Sequence, residues 1–387
     1  MGKPSEGDLE RNCITNYSSL KEWMSNKGFT VDPCLSDVID RYPMKINSYY
    51  LGLIKEKGDP IWRQAIPDVK ELNEYANLEA DPLYEEKQRL KKIKGNGDSN
   101  YMNVIMRYPD RALLQVSNVC AMYCRFCTRK RKVGDSNKNP TIKDIDEGIE
   151  GIANYNLEVA ALHNIGEKTE KTFIRDIIIS GGDPLMLSNS KLEHILEAIR
   201  KIPYLEMVRI GTRVPVTFPQ RILEDSELVN ILRKYRKNPP LYINTHFNTP
   251  TEITNDSSEA CDILADTGIP LGNQTVLMKG VNDNPHSMKK LMQGLLSIRV
   301  RPYYIYFPDL VQGTGHFRVP VQKGLEIMEH LRGYTSGLAV PYLMIDGPGG
   351  KGKTPIVPNY VISLSKAGVV MKNYAGEEFI YPNPRDR

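Results

Sequence analysis

Leu113-Leu-Gln-Val-Ser117-Asn-Val-Cys120-Ala-Met-Tyr-Cys124-Arg-Phe-Cys127 runs from an apolar, strand-like stretch straight into a loop that holds three thiols. The stretch Leu113–Ser117 is the first of a series. Similar runs lie at Asp176–Ser180, Met207–Thr212, Leu241–Phe247, Leu271–Leu277 and Arg301–Phe307, and a helical pattern follows each. Ile142, Ile145, Ile149 and Ile152 recur at helical spacing behind the start signal Thr141…Asp144. Leu192, Ile195, Leu196 and Ile199 form a second pattern, and Leu228, Ile231, Leu232 and Tyr235 a third. Ile263 and Leu264, stopped by Gly268, then Met288, Leu291, Leu295 and Ile298, then Leu325, Met328 and Leu331 complete the series. Strand–helix units in series predict parallel strands with right-handed crossovers, an α/β barrel or partial barrel. Its chemistry belongs at the C-terminal strand ends, where the thiol loop lies.

Outward from this core the pattern changes on both sides. Residues 1–105 read as a helical, charge-mixed region that ends in a lysine-rich stretch at 87–97, taken as an exposed linker or solvated helix face. Residues 106–335 carry the barrel. Residues 336–387 form a C-terminal segment with a strand at 339–345, a Gly/Pro-rich loop, and a small meander over 361–364, 369–374 and 378–381. The stretch Leu157–Thr172 is polar and poorly periodic; it reads as an extended loop or short extra helix before the second strand.

Composition narrows the classes. Hydrophobic residues at 40% and charged residues at 25% exclude a mostly disordered or collagen-like chain. With 51 basic and 47 acidic residues the net charge is +4, too little over this length to imply a nucleic-acid partner. No apolar run approaches the roughly 18 residues of a membrane span, and Met1–Arg11 lacks the apolar core of a secretory signal. The expectation is a cytoplasmic protein with no membrane partner.

The six cysteines are not expected to form a disulfide framework in a large intracellular chain. Cys13, Cys34 and Cys261 are scattered and read as small buried hydrophobes. Cys120, Cys124 and Cys127 fall together. Three thiolates leave a tetrahedral zinc one ligand short, and no fourth Cys or His follows nearby. A [4Fe–4S] cluster held by three thiolates leaves one iron open to a small molecule. A second motif is deceptive. Gly347 to Thr354 satisfies the phosphate-loop pattern G-x-x-x-x-G-K-[ST], which needs a helix behind it so that amides cradle phosphate. Pro355 and Pro358 forbid that helix, which counts against the nucleotide-binding reading.

The spacing Cys-x3-Cys-x-aromatic-Cys, with Phe126 as the aromatic, resembles the radical S-adenosylmethionine (SAM) superfamily. From about Arg107 to Tyr381 the chain resembles the lysine 2,3-aminomutase family. The resemblance is carried in order by RYPDRALL at 107–114, CAMYCRFCTRKRK at 120–132, ISGGDPL at 179–185, RIGTRVPV at 209–216, INTHFN at 243–248 and PLGNQTVL at 270–277. It continues through RVRPYYIY at 299–306, HFRVP at 316–320, LRGYTSG at 331–337 and PGGKGKTP at 348–355.

That resemblance implies a six-fold βα partial (three-quarter) barrel of the radical SAM type that holds a [4Fe–4S] cluster on Cys120, Cys124 and Cys127, together with SAM and pyridoxal 5′-phosphate (PLP). It implies splitting of SAM to methionine and a 5′-deoxyadenosyl radical, and migration of the substrate's amino group from C2 to C3. Lysine would give β-lysine. Residue by residue it implies Lys353 as the lysine that carries PLP, and Arg107, Tyr108 and Arg111 at that cofactor. Gly181, Gly182, Asp183 and Gln274 fall at positions that receive SAM. Arg129 would anchor the substrate carboxylate, with Lys130, Arg131 and Lys132 beside it read as a solvated run. Asp309 and Asp346 would face a distal ammonium, a pairing that suits a cationic substrate because two carboxylates in an apolar pocket need a cation.

The expected partners are an amino-acid substrate, a one-electron donor of the ferredoxin or flavodoxin type, and further copies of the chain. The chain departs from some family members in having Asn284 and no cysteine after Cys261, so no structural zinc is expected. Gly347 and Lys351 also differ from the commonest family residues. An aminomutase for arginine or another amino acid, a radical SAM enzyme of other activity, and a non-catalytic zinc- or nucleotide-binding protein stay open at this level.

Overall fold

The computed structural model describes residues 13–92 and 99–384. The readings for residues 1–12, and for 93–98 of the lysine-rich stretch, lie outside the described residues. At the N-terminal side, α1 (Tyr17–Asn26), α2 (Leu35–Arg41), α3 (Ser48–Gly52) and α4 (Pro60–Ala65) alternate with the two-residue strands β1 (Cys13–Ile14) and β2 (Ile46–Asn47), which pair antiparallel. Side chains of Asn16, Asn47 and Asp59 accept from the first free N–H groups of α1, α3 and α4. These helices are too short to be stable alone. Leu20, Met24, Ile39 and Ile61 hold them on the main core.

The end of this region differs from the expected linker. β3 (Arg89–Lys91) pairs antiparallel with β4 (Asn100–Tyr108), and β4 with β5 (Arg111–Ser117). The expected junction at 105/106 falls inside β4. Buried Asn103 sits beside buried Val104 and Ile105, so the alternation that marks a strand is broken where it would be read.

From β5 the expected order appears. β6 (Asp176–Gly181), β7 (Met207–Gly211), β8 (Leu241–Thr245), β9 (Leu271–Val276) and β10 (Arg301–Tyr306) follow in sequence order and in parallel. β11 (Tyr342–Gly347) then adds a further parallel strand beside β10, and β12 (Gly352–Ile356) turns back against it. The result is one ten-stranded sheet in the order β12-β11-β10-β9-β8-β7-β6-β5-β4-β3. The strand expected within the C-terminal segment is therefore part of the barrel sheet. No ladder joins β3 to β12, so the barrel is partial.

The crossovers are α5 (Ile142–Asn164), α6 (Asn189–Ile199), the short α7 (Val214–Thr217) and α8 (Gln220–Leu223), α9 (Ser226–Lys234), α10 (Asn255–Asp266), α11 (Pro285–Ser297) and α12 (Val321–Leu331). Thr141 and Asp144 form the capping box that the sequence announces. Asn284 caps α11 through His286 N and Ser287 N. Helix α5 runs through Leu157–Asn164, which shortens the expected insertion loop to 165–175. Its periodicity is masked by Asn156, a fully buried polar residue that bonds Ile174 and Pro203 backbone atoms.

Alternation divides each strand. Leu114, Ile177, Ile179, Val208 and Ile210 face the helices and are buried. Residues of opposite parity, among them Gln115, Ser180, Arg209, Asn244 and Gln274, face the lumen. Small barrels usually fill their interiors with side chains. A lumen lined this way is built for polar ligands. Outside the barrel, β13 (Val361–Leu364), β14 (Gly368–Lys372) and β15 (Glu378–Pro382) form the expected meander. Among the described residues no helix is long and apolar enough to cross a membrane.

Candidate active site

Cys120, Cys124 and Cys127 sit in the loop at the C-terminal end of β5, partly buried and free of disulfides. Withdrawal from water pushes the Cys127 thiol up to about 11, with Cys124 adding to the effect. The Cys120 thiol is raised well above its ordinary value by burial, then by Asp183 and by the other two thiols. Cys34, expected to be buried, is exposed.

The end of β6 closes on this loop backbone to backbone. Gly182 N donates to Ser117 O at 2.5 Å and Asp183 N to Val119 O at 2.8 Å. A Cβ on Gly181 would lie 2.2 Å from Ser117 O, and one on Gly182 2.3 Å from Val119 O. Contact with the thiol loop alone is enough to require both glycines. The Asp183 carboxylate is buried and accepts from Thr212 Oγ1 at 2.6 Å, Arg213 N at 2.6 Å and Leu185 N at 3.1 Å. It positions the loop after β7.

Arg213 was not singled out from sequence. It is buried, and its Nη1 donates to Cys124 Sγ at 2.8 Å. The signal was its place in RIGTRVPV, directly after a strand end. The basic run after Cys127 was expected to be solvated, and it is not. Arg129 donates through Nε and Nη2 to Glu85, while Nη1 reaches Ser180 Oγ at 3.3 Å and Gly181 O at 3.2 Å. Lys130 is buried against Glu71 at 2.5 Å, and Arg131 meets Asp81 and Glu85. Arg125, inside the cysteine motif and 1% exposed, makes a bidentate pair with Glu71 at 2.9 and 2.6 Å. Burial opposes the charge on Glu71, yet Arg125 and Lys130 outweigh it and hold the carboxyl down to about 2. The carboxylates lie some 45 to 60 residues upstream of their partners, a separation that local pattern does not reveal.

The two ends of the open sheet meet through side chains. Arg107, on β4, donates from Nη1 to Asp346 Oδ1 at 3.0 Å, from Nε to Gln88 and from Nη2 to Leu83 O. Lys353, on β12, places Nζ 3.0 Å from Asp346 Oδ2, and its N–H donates to Tyr108 Oη at 2.8 Å. Arg111 stacks on the Tyr108 ring at 4.6 Å and pairs with Asp110. Asp309 accepts from Thr128 Oγ1 at 2.6 Å. Withdrawal from water, with Asp346 adding, pushes its carboxyl up to about 6. Tyr306 Oη and Gln115 Nε2 are buried without hydrogen-bond partners. The expected Lys353, Arg107, Tyr108, Arg111, Asp346 and Asp309 are thus gathered at one seam. Gln274 stands apart in mid-β9, opposite Tyr304. The Gly347–Gly352 turn leads into β12 and no helix follows it.

This chain matches the Radical SAM superfamily profile over residues 114–292 and the profile described as Lysine-2,3-aminomutase over 328–387. It is 47% identical to the L-lysine 2,3-aminomutase of Acetoanaerobium sticklandii over 379 residues, which span 97% of this chain and 83% of the relative. The chain belongs to the lysine 2,3-aminomutase family. The L-lysine 2,3-aminomutase of Methanococcus maripaludis is also 47% identical, over 97% of this chain and 80% of that protein. The family is not uniform in name: a glutamate 2,3-aminomutase of Clostridioides difficile is 41% identical over 89% of this chain and 74% of its own length.

Membership in the radical SAM superfamily implies a [4Fe–4S] cluster and SAM. The residues present fit that cluster. Among the described residues no three His, Cys, Asp or Glu side chains converge as a single metal ion requires. A four-iron cluster asks for something else, one thiolate per iron corner. Three free thiols in one loop at a strand end suit that need, because metal ligation replaces their protons.

Proposed function

We propose that this aminomutase-family chain converts L-lysine to β-lysine (3,6-diaminohexanoate), with PLP carried on Lys353. The observation that carries the choice of lysine is Asp346. Its carboxylate already holds one primary ammonium, that of Lys353, at 3.0 Å. A second carboxylate, Asp309, lies close enough for Asp346 to help push its carboxyl up. When Lys353 is committed to the cofactor, Asp346 is released to a substrate ammonium of the same kind. A glutamate side chain would bring a third anion into this corner.

The residues present fit PLP. Arg107, Tyr108 and Arg111 surround Lys353 with two fixed cations. Tyr306 Oη and Gln115 Nε2 offer buried polar atoms that lack a protein partner. Lys353 Nζ stands 5.5 Å from the centre of the Tyr306 ring.

In this reading the cluster and SAM supply a hydrogen-abstracting radical, and PLP supplies the conjugated system that stabilises the migrating nitrogen. The chain's own work is positional. Glu85 holds Arg129 by two nitrogens and leaves Nη1 facing the Ser180–Gly181 strand end, where the substrate carboxylate would be received. Asp309 and Asp346 would hold the opposite end. Pinning both ends fixes which C–H faces the radical, and orientation of this sort is worth several orders of magnitude in rate. Electrons would come from a ferredoxin- or flavodoxin-type donor. A homo-oligomer is supported by the meander, which leaves Leu364 77% and Ile380 70% exposed, more apolar surface than an isolated three-stranded sheet sustains.

The test is an anaerobic assay of the reconstituted protein with SAM, PLP, a strong one-electron reductant and a panel of amino acids. β-Lysine from lysine is the expected product. A β-amino acid from arginine or glutamate with none from lysine would overturn the assignment.

A further inference from the structure

We propose that Arg213 is a positioning residue that tunes the reduction potential of the iron–sulfur cluster by donating a charged hydrogen bond to the Cys124 sulfur. This rests on the reading that Cys120, Cys124 and Cys127 hold the cluster.

Of the three thiols, Cys124 has a side-chain hydrogen bond to its Sγ, from Arg213 Nη1 at 2.8 Å. The guanidinium is fixed from every side. Nη2 donates to Gln64 Oε1 at 2.7 Å and Glu252 Oε1 at 2.8 Å, and meets Tyr50 Oη at 3.3 Å, while Nε donates to His246 O at 3.1 Å. The plane lies 5.2 Å from the centre of Phe126, the aromatic of the cysteine motif. Glu252 is itself fully buried and bound by Asn248 N and Thr249 N. Tyr50 and Gln64 come from the N-terminal helices, so this region reaches the cluster through Arg213.

Surface salt bridges need no such scaffold, and a buried cation is expensive to maintain. Its function follows from the electrostatics. Reduction adds one negative charge to the cluster, and a permanent cation in contact with one of its sulfurs favours that charge. Hydrogen bonds to sulfur and local charge are among the groups that set such potentials. Lysine cannot replace arginine here, because one ammonium cannot reach Cys124, Glu252 and Gln64 in the same fork.

The test is an EPR-monitored redox titration of the reconstituted holoenzyme, without substrate, alongside iron analysis. Loss of the donor in Arg213→Met should lower the ratio of reduced to oxidised cluster about tenfold at fixed poise, ~59 mV for a one-electron couple. Arg213→Lys should shift it less and in the same direction. Variants with wild-type iron content and an unchanged midpoint would overturn the proposal. If both variants fail to load iron while the wild type loads it, the residue is structural and the proposal also falls. A wild type that binds no cluster would instead remove the reading on which the proposal stands.

Discussion

The thiol loop and the sheet seam are both rich in charge, and they are built on opposite principles. Around the loop, cations meet carboxylates: Arg125 and Lys130 with Glu71, Arg129 with Glu85, Arg213 with Glu252. At the seam the matching is incomplete. Among the described residues the Asp309 carboxylate has one hydrogen-bond partner, a threonine hydroxyl, Tyr306 Oη has none, and Asp346 is shared between Arg107 and Lys353. A saturated network fixes geometry, and removal of one member leaves a buried charge alone. An unsaturated one marks where ligands complete the set. The difference separates residues that hold the site in place from residues that would act in it.

Replacement of Lys353 by alanine is the harshest test of the unsaturated side. It should abolish the absorbance of covalently bound PLP and reduce turnover to that of PLP-free protein, with the melting temperature nearly unchanged. Retention of the band would place the cofactor on another lysine. Glu71→Gln tests the saturated side in the opposite sense. Arg125 and Lys130 would lose their common anion inside the protein, a change worth about 3–5 kcal/mol. Urea denaturation should show that loss, and iron content should fall with it. A destabilisation under about 1 kcal/mol would mean that the network holds nothing.

Asp309 gives a finer comparison, because its protonation can be followed. Only the carboxylate attracts an ammonium. With its carboxyl pushed up to about 6, a proton occupies the group below that pH. The value of kcat/KM for lysine should therefore climb as pH rises from about 5 to 7. In Asp309→Asn that limb should vanish, and kcat/KM should drop by about 2–5 kcal/mol of binding energy. A limb that survives the substitution belongs to another group.

Much of the barrel was legible in sequence because its helices and parallel strands repeat apolar periods that local inspection detects. β5 to β10 lie within a few residues of their expected ends. What escaped notice was polar and buried. Asn156 hid the second half of α5, and Asn103 hid the pairing of β4. Most candidate site residues stand in the motif blocks, and the fold brings Arg107, Tyr108, Arg111, Asp309, Asp346 and Lys353 together at the seam. Their partners were not legible. Glu71, Glu85 and Glu252 look like ordinary surface acids in a chain with 47 acidic residues, and only the fold brings them under the thiol loop. Asp183 shows the same limit, since its bonds to Thr212 and Arg213 of the neighbouring loop appear only in the fold.

A substitution outside both networks sets the baseline for these effects. Thr141 caps α5, the longest helix: its hydroxyl accepts from Asp144 N at 3.2 Å, and Asp144 returns a bond to Thr141 N at 2.8 Å. Both residues are exposed, and their side chains bond each other and no residue of the seam or the thiol loop. Thr141→Ala should cost about 1 kcal/mol of stability and leave KM, cluster midpoint and PLP absorbance at wild-type values. If so small a change at the start of a crossover helix altered any of those three, the site would be coupled to global stability. The larger losses in Glu71→Gln could then no longer be assigned to the charges beneath the loop.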